Sequence, residues 1–260
     1  MPFSRLENIL AEAEAQKVII PFWWRDDDAV TQSPALEHLL SISKAARFPI
    51  AIAAIPTGLQ KSLITQVKKH PQASLLVHGF AHFNHAPADE KKAEFKAHRP
   101  LELMCTELQS GLQHLRNMAT PEQLCPIFVP PWNRISPELT DQLRGIGFQG
   151  LSTFGNRQAP LRSDGLFQIN THIDPIAWHA GRSLLPIDTI IETIISAIQY
   201  RLDGHSDEPI GLLTHHLVHD GAIWEFTESL VNYLKMCEVI NFIDVRDYLS
   251  QALSRTDRSC

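Results

Sequence analysis

Cysteine is scarce in this chain, and its four residues, Cys105, Cys125, Cys237 and Cys260, are scattered with no CxxC spacing. That pattern excludes a disulfide scaffold and a zinc ribbon, and reads as free thiols in a reducing compartment. No apolar run approaches the roughly 20 residues of a membrane span, and residues 1–17 alternate charged and small side chains where a signal peptide would be apolar. A cytoplasmic protein with no membrane partner is expected. Positive charge is also short: 23 Lys plus Arg stand against 29 Asp plus Glu, a net charge of -6, and no basic run is interleaved with aromatics. A nucleic-acid partner is therefore not expected. Repeats, low-complexity tracts and interdomain linkers are absent, so residues 1–260 read as one domain.

What is present is an alternation of apolar runs and helical patterns. An amphipathic helix is predicted within the N-terminal segment 1–17. Strands are predicted at 18–24, 50–55, 74–77, 127–129, 147–152, 166–170, 210–214 and 239–243. Ser33-Pro34 and Ser136-Pro137 are cap and first-turn pairs that open helices to Ala46 and to Gly145, and 187–202 and 224–236 carry apolar residues at helical spacing. Seven or eight strands with intervening helices indicate an α/β fold, a parallel barrel or a doubly wound sheet. Polar clusters end strands spread from residue 25 to residue 216, and a barrel gathers its site from many strand ends. The pattern favours a parallel (β/α) barrel.

Four such clusters carry the chemistry: Arg25-Asp26-Asp27-Asp28, His78-Gly79-Phe80-Ala81-His82, Pro130-Pro131-Trp132-Asn133 and His215-His216. Three successive carboxylates repel one another unless a cation is near, although a solvated turn would also accommodate them. His78 and His82, four apart, can reach one ion from a turn. His85 adds a third imidazole as a ligand, a supporting group or a substrate contact. Of His215 and His216 only one can face the barrel axis. The polar stretch 79–100 is long for a structureless connection and is expected to be an active-site loop.

In their order, an Asp-Asp after the first strand, HxxxH after a later one, a Pro-Pro-aromatic segment and Leu-x-His near the end resemble the polysaccharide deacetylase superfamily, carbohydrate esterase family 4. The likeness runs over roughly residues 18 to 245, and the strings RDDDA, HGxAHxNH and PPWNR resemble one deacetylase-like branch of it. The resemblance implies a distorted (β/α) barrel and one divalent metal, commonly zinc, held by an Asp and two His. By position it makes Asp27 the catalytic base and Asp28, His78 and His82 the metal ligands; a one-residue slip would assign Asp26 and Asp27 instead. It gives the backbone N–H of Trp132, with Pro131, Asn133 and Arg134 around it, to the oxyanion and substrate. His215 becomes the general acid.

Asp174 to Trp178 matches a motif whose Asp tunes the base through an Arg. That Arg is replaced here by Val129, with Arg25 and Arg134 as candidates to restore its charge. The implied reaction is metal-dependent hydrolysis of a non-peptide carbon–nitrogen bond in a saccharide or small-molecule amide. The alternative is a catalytically silent barrel that binds a carbohydrate or small molecule.

Overall fold

The computed structural model describes residues 3–162 and 165–256, so Met1, Pro2 and Cys260 lie outside the described residues. Among the described residues eight strands form one sheet: β1 Ile20–Ala29, β2 Ile50–Ala54, β3 Ala73–His78, β4 Leu124–Val129, β5 Gly150–Leu151, β6 Phe167–Gln168, β7 Ile210–Thr214 and β8 Ile240–Phe242. Their order is β6-β5-β4-β3-β2-β1-β7, all pairs are parallel, and β8 joins the start of β1. Beyond β6 the chain continues as isolated bridges, Phe154 to Thr171 on one side and Ile173 to Leu212 on the other. The sheet thus curls into a barrel whose last gap is closed by irregular backbone, the distortion that the resemblance implies.

Helices α1 Glu7–Ala15, α2 Pro34–Ala46, α3 Lys61–Lys68, α4 Leu101–Met118, α5 Pro137–Thr140, α6 Leu143–Ile146, α7 Ile187–Leu202, α8 Gly221–Lys235 and α9 Val245–Thr256 flank the sheet. Ser33 caps α2 by accepting from the Leu36 N–H at 3.1 Å, and Ser136 caps α5 by accepting from Leu139 at 3.3 Å, as the Ser-Pro pairs predict. The single helix predicted after Ser136 is instead two short ones, α6 ending at Gly147 with φ 110°. No helix among the described residues is long and apolar enough to cross a membrane.

Alternation along β1 sorts its side chains between two apolar layers. Phe22 and Trp24 pack into the layer between sheet and helices, whereas Trp23 joins Ala51, Ala53, Leu76, Ile127, Val129, Phe167 and Ile169 inside the barrel. Val245 and Leu249 of α9 close the bottom of this inner layer. The Trp23 indole crosses the interior to donate to Asn170 O at 2.9 Å. A Cβ at Gly211 would sit 2.5 Å from that indole nitrogen, so β7 must carry glycine where the ring lies. With Trp23 inward, the same face continues into Arg25 and Asp27.

The first strand is longer than predicted. Charge at residues 25–28 suggests a strand end, yet β2 and β7 go on pairing with the backbone through Asp26 and beyond. The fifth and sixth strands are shorter than expected, two residues each, because their neighbours bridge irregularly.

Candidate active site

The three carboxylates of the triplet leave β1 in three directions. Asp27 faces inward beside Arg25. Asp26, on the opposite face, is fully buried behind the barrel wall. Asp28 falls at a register shift between Asp26 and Ala29 and has φ 74°, a left-handed backbone that turns its carboxylate toward β3. Its Oδ1 lies 3.0 Å from His78 Nε2 and 3.2 Å from His82 Nε2.

Both imidazoles are held from behind. His78 ends β3, and its Nδ1 donates to Val129 O at 3.0 Å, which fixes the ring with Nε2 facing Asp28. His82 has φ 58° and its ring lies 4.4 Å from that of Trp132. The turn that delivers it is bound by Glu94, whose carboxylate accepts from Phe80 N at 3.2 Å and Ala81 N at 2.8 Å. Gly79, with φ 60°, is required there, because a Cβ would lie 2.3 Å from Glu94 Oε2.

Asp28, His78 and His82 thus offer one carboxylate oxygen and two nitrogens, all within 4.8 Å of one another. Ligand atoms on a tetrahedral ion with bonds of about 2.0–2.1 Å lie roughly 3.3 Å apart, so the trio fits a divalent metal with open positions for water or substrate. Burial works against ionisation of Asp28, but the hydrogen bond and charge of His78, with His215 and His82 beyond, hold its carboxyl below the usual carboxylate range. The Asp28 carboxylate is therefore anionic near neutrality.

Asp27 is 2% exposed and paired with Arg25, which is itself fully buried. Arg25 Nη2 donates to Asp27 Oδ2 at 2.9 Å, and Nε lies 2.9 Å from Oδ1 as an ion pair off hydrogen-bond alignment. The rest of the guanidinium reaches Ser152 Oγ at 2.7 Å, Asn133 Oδ1 at 2.8 Å and Thr153 O at 3.3 Å. Of the two arginines proposed to restore the missing charge, Arg25 sits on Asp27. Arg134 instead donates to Lys92 O and ties its turn to the 79–100 segment.

Pro130 to Arg134 form a turn in which Asn133 N donates to Pro130 O and Arg134 N to Pro131 O, leaving the Trp132 N–H outside these bonds. Trp132 and Asn133 have φ 55° and 56°, and Pro131 packs against Gly79. His215 follows β7 with its ring 4.7 Å from that of Trp178. Trp178 Nε1 donates to Asp174 Oδ2 at 2.7 Å. Burial pushes the Asp174 carboxyl up, against the opposing charge of His215 and the Trp178 bond. The implied route from Asp174 through an arginine to the base is not the arrangement found: Asp174 bonds Trp178 and Ile176, whereas Arg25 bonds Asp27, Ser152, Thr153 and Asn133. His85 is exposed and stands outside the trio of donors.

The 79–100 segment is a loop with no helix or strand, pinned at both ends. Its first residues build the site, and Glu94 and Phe95 are buried against the fold. Residues 83–92 are largely exposed between them. Ser152 was not singled out in the sequence, where a lone serine at the end of a predicted strand carries no signal. Thr214 and His216, which flank His215, bond Asp26.

No family model matches this chain, and no curated protein matches it in sequence. Solved structures do match its fold. A Mycobacterium smegmatis protein assigned to the polysaccharide deacetylases is 13% identical with a TM-score of 0.62, over 91% of each chain. A family 4 acetyl xylan esterase from Clostridium thermocellum, in complex with a cobalt ion, is 10% identical with a TM-score of 0.54, over 91% of this chain and 92% of its own. The Puue allantoinase is 14% identical with a TM-score of 0.57, over 92% of each chain. The protein has the fold shared by polysaccharide deacetylases and family 4 carbohydrate esterases.

Proposed function

We propose that this protein is a metal-dependent hydrolase of a non-peptide carbon–nitrogen bond, a deacetylase-like enzyme acting on a saccharide or other small-molecule amide. One observation carries the reading: Asp28, His78 and His82 converge beside a buried carboxylate, Asp27, that is paired with an arginine and takes no part in the convergence. Deacetylases and an allantoinase among the structural neighbours agree with an amide hydrolase, and the cobalt in one of them agrees with a metal. Zinc is the candidate ion, given one carboxylate and two imidazoles as donors. The free thiols of Cys105, Cys125 and Cys237 agree with a cytoplasmic setting.

Asp28, His78 and His82 would hold the ion, which supplies Lewis acidity to an amide carbonyl and acidifies water. Asp27 accepts the proton of the attacking water, and Arg25 holds that carboxylate in its orientation. The Trp132 N–H donates to the developing oxyanion. His215, its ring set against Trp178, gives a proton to the departing nitrogen, since an amine leaves poorly unprotonated. The alternative of a silent binding barrel draws on Val129 at the position of the missing arginine, and Arg25 on β1 brings a guanidinium to Asp27 instead.

The test is metal content and turnover together. Purified protein stripped with chelator and reloaded with zinc or cobalt should bind one equivalent and hydrolyse members of an acetamide panel. The His78→Ala/His82→Ala protein should do neither. A double variant that retains stoichiometric metal, or a loaded wild type inert across the panel, would overturn the reading.

A further inference from the structure

Asp26 has no place in the chemistry described so far, yet it is a carboxylate buried at 0% exposure on the helix-facing side of the sheet. Such a group costs several kcal/mol to desolvate unless its bonds are fully met. They are met entirely by the two residues that flank His215. Asp26 Oδ2 accepts from Thr214 Oγ1 at 2.7 Å and from His216 N at 3.0 Å, and Oδ1 lies 2.5 Å from His216 Nδ1. Thr214 Oγ1 in turn accepts from Trp24 Nε1 at 2.9 Å, and the strand register sets Asp26 directly beside Thr214. The residue between these two anchors is His215, whose own carbonyl accepts from Val218 N at 2.8 Å.

We propose that Asp26 is a positioning residue that clamps the end of β7 on both sides of His215 and so fixes the direction in which that imidazole enters the site. The proposal rests on the amide-hydrolase reading for the role of His215. Thr214 and His216 turn to the outer layer and His215 toward the site, so releasing the flanks frees the ring to rotate. Misplacement of a proton donor by about 1 Å can cost on the order of a hundredfold in rate. The first carboxylate of the triplet would thus serve the acid at the far end of the reaction, while the second and third serve the base and the metal.

The test compares Asp26→Asn and His215→Ala, singly and combined, in the metal-loaded enzyme. Asp26→Asn should lower kcat on an unactivated acetamide by at least about tenfold with KM within about twofold. The loss should shrink on an acetylated nitroaniline or nitrophenyl acetate, whose leaving groups need less protonation. The combined variant should be no slower than His215→Ala alone, because a clamp has nothing to hold once the imidazole is gone. Additive losses, or equal losses on both leaving groups, would overturn the proposal. Thr214→Val removes one anchor without removing the carboxylate and should give the same signature more weakly, which keeps the test alive should Asp26→Asn fold poorly.

A readout without turnover separates this proposal from the wider reading. Amide hydrogen exchange at His216 should accelerate in Asp26→Asn while the amides of β2 stay protected, and unchanged exchange at His216 would rule out the clamp whatever the substrate proves to be. A wild-type enzyme inert on every amide, with exchange accelerated as expected, would leave the anchors in place but remove the role assigned to His215.

Discussion

Arg25 and Asp27 lie two residues apart on the inner face of one strand, and the guanidinium meets the carboxylate at 2.9 Å inside the barrel. The pair is local in sequence, which means that β1 alone brings both charges into the interior. Because both are buried, removing one leaves the other without its counter-charge, at a cost of about 3–5 kcal/mol.

Arg25→Met should therefore lower the melting temperature and cut kcat by at least about a hundredfold, while one equivalent of metal is still bound, since Asp28, His78 and His82 are held by other contacts. Arg25→Lys keeps the charge but cannot span Asp27, Ser152 and Asn133 together, and should recover stability more than rate. Thermal melts, metal analysis and kcat measured on the same preparations check this. A rate unaffected by Arg25→Met would detach the arginine from the base.

The general architecture is legible in the sequence because its signals are periodic. Eight apolar runs and their polar ends lead to a parallel barrel, and the chain has one. Strand ends are less legible. Asp26, Asp27 and Asp28 look like loop residues by composition, and only their neighbours β2 and β7, distant in sequence, keep them in a strand. The grouping of Asp28 with His78 and His82 is visible as a motif order, but the bulge that re-aims Asp28 is not, because nothing in the triplet says which residue will take φ 74°. Ser152 and the anchors of Asp26 depend on register across the barrel, and a single sequence carries no mark of register for such residues.

Glu94 offers a test of how the proposed metal ligands are supported. Its carboxylate holds the Phe80 and Ala81 amides, and so the turn that presents His82. Glu94→Gln keeps the shape but leaves a weaker acceptor, and should weaken zinc affinity by about 10- to 100-fold, the usual cost of losing a group that orients a ligand. A competition titration against a chromophoric chelator measures it. Affinity equal to the wild type would show that His82 needs no such support.

Acid should destabilise the fold through His219. Its ring packs 4.4 Å from Trp224, both ring nitrogens are buried without a hydrogen-bond partner, and burial is the main cause that brings its pKa down to about 4 from 6.5. The unfolded chain takes up the proton first, so this contribution to stability is present above about pH 6.5 and is lost as the pH falls toward 4. His219→Leu should flatten the decline of melting temperature between these limits. An unchanged slope would assign the acid sensitivity to other groups.

Asp27 and His215 are proposed to act on opposite sides of the scissile bond, and leaving-group chemistry can separate them. Asp27→Asn cannot accept the proton of water, so kcat should fall by about 10²- to 10⁴-fold on activated and unactivated substrates alike, with metal content unchanged. His215→Ala should cost as much on an unactivated acetamide but far less on an acetylated nitroaniline, whose anion departs with little help. The two variants therefore predict different slopes when log kcat is plotted against the leaving-group pKa: parallel to wild type for Asp27→Asn, steeper for His215→Ala. Parallel lines for both would remove the acid role from His215. His216 is held on Asp26 and His85 is exposed outside the donor trio, so His85 would be the first replacement to examine.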